Sequence, residues 1–458
     1  MKQLISWLAL VMWAGLGLGA QPSPRNNPDE AFEQIILDAM KAAQTPGAAV
    51  VIVKGNQVIY AKGFGVTSIE DQTPISTDTL FRLGSTTKMF TSAALVKSAD
   101  SRNLKLNAPF ANYAHGLDAK IGQITTHQLL SHSSGLRDFA ATVSSHDDDA
   151  IAKMVRAWKG DVFFGEPGKI YSYSSPGYWL AGFMLEEVEK QPYAEAMKRL
   201  LFKPLGMNRT TFRPLEAMTF PLAIGHRLEA NKPTIIRPTF NNNAMWPAGS
   251  MYSSANDLAR WVIAFLNEGR IDGAQILSPT LIKQLSSPHV AIPGGVTQFH
   301  GYGLMVSQER GIPIVAHGGF STGYGSMIQM APQHRIGVIV LTNKSGETLP
   351  RVWQKALEMH LPFGPPEPEP TAQTITETEL ANCPGQYSHA PGLFEILKWG
   401  NRLFFREKGQ EIELKKISDY TFLYGNHDEN IVIFVADQMG RIEYAFDGMY
   451  ASRKVRDR

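Results

Sequence analysis

The sequence predicts an α+β fold: an antiparallel sheet flanked by helices and set against a helical region, followed by a small all-β sandwich or barrel domain. Three observations carry this. Strand-like runs at residues 48–53 and 58–61, and again at 326–330 and 336–341, bracket a long stretch of mostly helical periodicity. That order segregates strand from helix instead of alternating them. A proline-rich tract at 362–370 can form neither helix nor strand interior and favours extended chain. Beyond it, short β-branched and aromatic runs separated by Gly, Asn and Asp fill the remaining sequence.

Taken in chain order, residues 4–20 are apolar apart from Ser6, follow Lys2 and precede a polar, proline-containing stretch. This is the order of a signal peptide, expected over residues 1–20 with cleavage near Ala20 and export to the periplasm or medium; an uncleaved anchor is the alternative. The run is shorter than the ~20 residues of a spanning helix, and no later segment is long and apolar enough to span. A helix opens at Pro28-Asp29-Glu30, with Phe32, Ile35, Ile36 and Met40 at helical spacing, and stops before Pro46-Gly47. Lys54-Gly55-Asn56-Gln57 and Pro332-Gln333-His334-Arg335 read as turns, each joining two strands, and all four strands are expected in one antiparallel sheet. Helical patterns cover 85–98, 176–190 and 255–268, the last with Leu258, Trp261, Val262 and Phe265 as core. The domain reading is 28–362, a linker at 363–373, and a β domain over 374–458 with strands near 393–399, 402–406, 412–417, 422–424, 431–436 and 442–446. Its aromatics Trp399, Phe404, Phe405, Tyr424 and Phe434 read as core.

Composition removes several functions. With 43% hydrophobic residues among 458, global disorder is excluded. The balance of 44 basic and 42 acidic side chains, net +2 and dispersed, leaves no footprint for nucleic acid. Cys383 is the single cysteine, so neither an internal disulfide nor a thiolate metal site can form. His127 and His132, five apart, fall on different helical faces with no carboxylate at ligand spacing, and read as structural. Neither a metal nor an organic cofactor is expected; the partner is a small-molecule or peptide substrate. Nothing in the sequence sets the oligomeric state.

The local chemistry starts at Phe81-Arg82-Leu83-Gly84-Ser85-Thr86-Thr87-Lys88. On a helix, positions i and i+3 share a face. A serine hydroxyl becomes a nucleophile when a base takes its proton, and a buried lysine whose pKa is lowered can be that base. The apolar neighbours Met89, Phe90, Ala93, Ala94 and Leu95 predict such burial. A second signal is Tyr171-Ser172-Tyr173-Ser174-Ser175, preceded by Glu166-Pro167-Gly168, and a third is His317-Gly318-Gly319. Gly319-Phe320-Ser321-Thr322-Gly323 matches a nucleophile elbow in letters only, because an elbow needs strand, serine, helix and here a strand follows. Ser321 reads as a rim residue, and Tyr252 as either pocket wall or packed aromatic.

These three motifs, with Gln128-Leu129-Leu130-Ser131-His132-Ser133-Ser134-Gly135, Pro204-Leu205-Gly206-Met207 and Pro247-Ala248-Gly249-Ser250-Met251-Tyr252-Ser253-Ser254, resemble the serine β-lactamase and penicillin-binding protein superfamily. The likeness is to the group of class C β-lactamases, D-peptidases and esterases, and runs from about residue 48 to 343. It implies a β-lactamase/transpeptidase-like fold, Ser85 as acylated nucleophile, and Lys88 and Tyr173 as shared general base. It also implies His317 and Gly319 on a substrate-facing edge strand, and the N–H groups of Ser85 and Phe320 as oxyanion hole. Two positions depart from the family pattern. Ser175 stands where an asparagine is usual, and His317 where class C β-lactamases carry lysine. An imidazole of pKa about 6.5 grips a carboxylate less firmly. The expected function is therefore an exported serine hydrolase acting on D-amino-acid peptides or related acyl compounds. The alternatives are a carboxylesterase or weak β-lactamase, acyl transfer at the same residues, and a non-catalytic penicillin-binding or sensing module. The C-terminal domain reads as cover for one wall of the site.

Overall fold

The computed structural model describes residues 28–455 except 103, 296, 367, 369, 390–391 and 426–429; the expected leader lies outside them. Its sheet has eight strands: β1 Gly47–Lys54, β2 Gln57–Gly65, β3 Val290–Ala291, β4 Gln298–His300, β5 Met305–Glu309, β6 Ile312–Ser321, β7 Tyr324–Ala331 and β8 Ile336–Thr342. The spatial order is β2-β1-β8-β7-β6-β5-β4-β3, antiparallel throughout, with the four expected strands side by side. The main helices are α1 Pro28–Ala42, α2 Thr87–Arg102, α3 Ser175–Glu189, α4 Ala255–Leu266 and α5 Pro350–His360.

Why β1 is an unbroken apolar run follows from which faces are covered. Ala49, Val51 and Val53 point into the core shared with α2, α3 and α4. Ala48, Val50 and Ile52 point the other way, into a second core closed by Phe32 and Ile36 of α1 and Val352 and Leu357 of α5. A strand buried on both faces has no polar alternation to show. On the helical side Trp261 of α4 is fully buried and its ring lies 4.7 Å from that of Phe90 on α2. Among the described residues no helix is long and apolar enough to cross a membrane.

Of the two architectures expected for the C-terminal part, the structure has the barrel. Strands β9 Gly385–His389, β10 Gly392–Trp399, β11 Arg402–Glu407, β12 Gln410–Ser418, β13 Thr421–Tyr424, β14 Ile431–Ala436, β15 Ile442–Phe446 and β16 Ala451–Lys454 close in sequence order, with β9 pairing β16. The six expected strands are present. The two closing strands went unforeseen because Gln386, Ser388, Arg453 and Lys454 give them a polar face and little apolar signal. Leu403 and Phe405 of β11 point inward. Alternation therefore turns Phe404 outward to half-burial. Tyr424 is also only half-buried, and Trp399, at the end of β10, is 56% exposed. Three of the five aromatics read as core are thus not fully enclosed.

The barrel docks on the first part through an apolar seam in which Phe164, Ile170, Tyr171 and Ile292 meet Ile433, Tyr444, Phe446 and Ala451. Residues 361–376, as far as described, contain neither helix nor strand, and Phe363 packs on the outer sheet core with the Arg310 guanidinium 4.2 Å above its ring. Trp261→Ala should remove the centre of the α2/α4 contact and lower unfolding free energy by about 3–5 kcal/mol. Denaturant unfolding of the two proteins under identical conditions checks this, and a difference below about 1 kcal/mol would contradict that packing.

Candidate active site

Ser85 sits in a short 3-10 turn, Gly84–Thr86, that runs directly into α2. The chain enters this turn through Gly84 at φ +57°, where a Cβ would lie 2.6 Å from the Phe320 carbonyl oxygen. From the other side, a Cβ on Gly319 would fall 1.9 Å from the Leu83 carbonyl oxygen. Two glycines thus allow the end of β6 to lie backbone to backbone against the turn that holds the serine. Thr86 Oγ1 and Ser326 Oγ, 2.6 Å apart, tie the turn to β7 behind it.

Lys88, one turn into α2, is fully buried. Its Nζ is 3.2 Å from Ser85 Oγ and donates to the Ala248 carbonyl at 2.8 Å. The Tyr173 hydroxyl donates to the same Ser85 Oγ at 2.8 Å. Lys88 Nζ also lies 4.8 Å from the centre of the Tyr173 ring and 5.5 Å from that of Tyr178. Burial pulls the lysine pKa down to about 7, against a weaker upward pull from the Asp138 charge. Burial pushes the Tyr173 phenol well above its usual value, with its hydrogen bond to Ser85 opposing. At neutral pH the site therefore holds a lysine that can be uncharged and a phenol that keeps its proton.

Tyr173 is fixed from three directions. Its ring lies 4.4 Å from the His132 ring. His132 is not on a helix face, since that helix, Thr126–Leu130, has already ended; at φ +56° the residue turns inward behind Tyr173. Its Nδ1 accepts from the Ser174 N–H at 3.0 Å, and burial lowers its pKa further below the usual value. His127 instead meets the Tyr302 hydroxyl at 2.8 Å and the His289 ring, away from Ser85. The Tyr173 N–H donates to the Met449 carbonyl at 3.0 Å, and the Ala451 N–H donates to Ser172 Oγ at 3.0 Å, both from the barrel. Asp138 accepts from the Ser175 N–H at 2.8 Å through one oxygen and from the Tyr450 hydroxyl at 3.1 Å through the other. The barrel does more than cover a wall: the turn between β15 and β16 is bonded to the main chain of Tyr173 itself.

The remaining expected residues separate. Ser175 lines the cavity with its N–H held by Asp138, while Lys88 finds its second acceptor in the Ala248 carbonyl. The strand carrying His317 is an inner strand, not the sheet edge. However, β5 stops opposite Ala316, so the β5-facing side of residues 317–321 is left open by that partner. His317 is 6% exposed, its Nδ1 lies 2.6 Å from the Gly318 carbonyl oxygen, and burial followed by the Lys88 charge lowers its pKa to about 3. A hydrogen bond to that carbonyl places its proton on Nδ1. Phe320 is 61% exposed at the mouth. Ser321 pairs with Tyr324 in a strand–turn–strand hairpin, so no elbow exists, and it lines the rim as expected. Tyr252 is packed with Leu80 and Ala217 and does not line the cavity.

A cavity of about 530 Å³ opens over Ser85, walled by Arg82, Ser175, Trp179, Ser250 and Phe320. A larger cleft of about 1100 Å³, beside Arg260, Lys283 and Arg335, does not include Ser85. Among the described residues no group of three or more His, Cys, Asp or Glu could hold a metal ion. Four contributors escaped sequence reasoning: Asp138, Tyr450, the Ala248 carbonyl and Arg82. The last two lie inside motif phrases, but neither a main-chain oxygen nor a guanidinium's direction has a sequence signature.

Fold and site together define a serine hydrolase class, in which a Ser-x-x-Lys turn and a tyrosine face a strand end. The chain belongs to the Beta-lactamase family, which matches residues 32–359, and members of this family are serine hydrolases. It is 28% identical over 338 residues to protein flp of Staphylococcus aureus (strain N315), covering 71% of this chain and 65% of that relative. The chain thus spans less than two thirds of the relative's length. Penicillin-binding protein 4 of Amycolatopsis lactamdurans is 27% identical over 327 residues, covering 69% of this chain and 85% of its own. Among solved structures, SurE superposes with a TM-score of 0.76 at 21% identity, covering 93% of this chain and 99% of that one. The octameric penicillin-binding protein homologue from Pyrococcus abyssi superposes with a TM-score of 0.66 at 24% identity, covering 94% and 97%. Both likenesses carry the fold, and both extend across the barrel.

Gly319→Ala would push β6 off the Ser85 turn, and a displacement of about 1 Å should cost on the order of 100-fold in kcat/KM toward an activated ester. Near-native kinetics in a folded variant would contradict the close approach.

Proposed function

We propose that this protein is an exported serine hydrolase that cleaves amide or ester bonds through an acyl-enzyme on Ser85. The observation that carries the reading is the convergence on Ser85 Oγ of a buried lysine Nζ at 3.2 Å and a phenol at 2.8 Å. Uncharged Lys88 takes the Ser85 proton as Oγ attacks the acyl carbon. The N–H groups of Ser85 and Phe320 take up the developing negative charge, which the contact of β6 with Gly84 supports. When the tetrahedral adduct collapses, the C–N or C–O bond breaks and the leaving atom takes the Tyr173 proton, which Lys88 returns to the phenoxide. Water repeats the sequence in reverse roles, its proton passing to Lys88 and the acid leaving as Ser85 Oγ is reprotonated.

D-amino-acid peptides or related acyl compounds are the favoured substrates, ahead of β-lactams. Supporting this, one structural neighbour is a β-lactamase/D-alanine carboxypeptidase from Pseudomonas syringae and another is SurE with D-Leu. His317, neutral because of burial, offers no cation for the carboxylate of a β-lactam.

Intact mass after incubation with a penicillin, and separately with an activated acyl ester, should show a one-to-one adduct or turnover that Ser85→Ala abolishes. A penicillin adduct points to D-peptides and ester turnover alone to an esterase, whereas silence with both compounds, or activity surviving in Ser85→Ala, would remove the mechanism. The pH profile follows from Lys88. Because the base is the neutral amine, kcat/KM for an uncharged ester should rise with pH through about 7 and fall away below it. Lys88→Arg should lose about 10²- to 10⁴-fold together with that rise. A flat profile between pH 6 and 9 would assign the proton transfer elsewhere.

A further inference from the structure

Arg82 is the one buried cation of the cavity that the mechanism leaves unused. It is 4% exposed and lines the space over Ser85. Its place is fixed by the backbone: Leu80–Arg82 is a short strand paired with Tyr252–Ser254, Arg82 opposite Tyr252. One terminal nitrogen donates to the Phe240 carbonyl at 2.6 Å and the other to Ser250 Oγ at 2.9 Å. Its Nε is buried with no hydrogen-bond partner. Among the described residues no carboxylate forms an ion pair with it, and the cavity lining contains no Asp or Glu.

A guanidinium has five N–H donors and a full charge that does not leave at any accessible pH. Two neutral acceptors satisfy two donors and none of the charge. An unpaired buried charge is costly, and its electrostatic complement is an anion. The same cavity lining carries the hydroxyls of Ser250, Ser321 and Thr322, which can bond a carboxylate without repelling it. Planar, forked donors fit a carboxylate best.

We propose that Arg82 and Ser250 form an anion subsite of the catalytic cavity that binds a carboxylate carried on the acyl group of the substrate. The substrate class narrows accordingly to acidic acyl donors, those with a free carboxylate a few bonds from the scissile carbonyl. The word substrate rests on the acyl-enzyme reading above; the subsite itself is a statement about binding and can be tested without turnover.

The test uses Ser85→Ala, which cannot be acylated, and the succinyl, glutaryl and adipyl p-nitroanilides, each beside its terminal carboxamide. Titration calorimetry should show at least one of the three carboxylates binding about 10- to 100-fold more tightly than its carboxamide, the range expected of a charge-assisted hydrogen bond. Adding Arg82→Gln should bring that ratio near one, and Arg82→Lys should leave it intermediate. The proposal is overturned if no carboxylate binds, if carboxamides bind as well, or if the ratio survives Arg82→Gln. Inorganic phosphate displacing the anilide at lower concentration than glutarate would assign the site to a phosphorylated ligand and overturn it too. The first comparison needs no Arg82 variant, so a variant that does not fold leaves the outcome decided. Should binding behave as stated while the native chain fails to hydrolyse any donor, the acyl-enzyme reading fails and the subsite stands.

Discussion

The constraint on which the rest depends is the enclosure of one amine. Lys88 can be neutral near physiological pH only because water is kept from it, and keeping water out of a helix start takes a wall on every side. Every residue of α2 from Thr87 to Val96 is buried. Its polar members are bonded internally, Thr91 to the Tyr193 hydroxyl and the Pro247 carbonyl, Ser92 to Tyr178. Above Lys88 the phenols of Tyr173 and Tyr178 form the roof. The helical region supplies these walls, and the barrel turn, bonded to the main chain of Tyr173, holds part of the roof in place, so the fold is what lowers the pKa.

This gives the barrel a part in the chemistry that a separate module would not have. The hydrogen bonds from the segment 449–451 reach residues 172 and 173 and the Asp138 carboxylate, and the apolar seam behind them holds that turn in place. Asp138 matters twice. It orients the first turn of α3 through the Ser175 N–H, and its charge acts on Lys88 against desolvation. The barrel therefore helps set both the position of the phenol and the balance that decides the protonation of the amine.

Much of this was legible in the sequence, and the reasons differ by residue. Strands β1 and β8 showed themselves as continuous apolar runs because both faces are covered, and α4 through the spacing of Leu258, Trp261, Val262 and Phe265. Ser85 and Lys88 were found because a spacing of three on a helix is itself a geometric statement, and Tyr173 through its motif. Polar strands such as β9 and β16, which exist by pairing with each other, left no periodic trace. Nor did His132, whose turn into the site depends on a helix ending two residues earlier. Asp138, Tyr450 and the Ala248 carbonyl act across hundreds of residues or through the main chain, where side-chain identity carries no signal. The expected edge strand proved to be an inner one, and that its β5-facing side opens only beyond Ala316 is a fact of register that the sequence does not carry.

The most direct measurement of the central claim is the titration of Lys88 itself, followed by NMR in protein labelled at lysine Cε. The account requires one lysine resonance, missing in Lys88→Met, that titrates near pH 7 while exposed lysines titrate at their ordinary value. If the resonance assigned to Lys88 titrates above 10 with the rest, the amine is a cation at neutral pH and cannot be the base that activates Ser85.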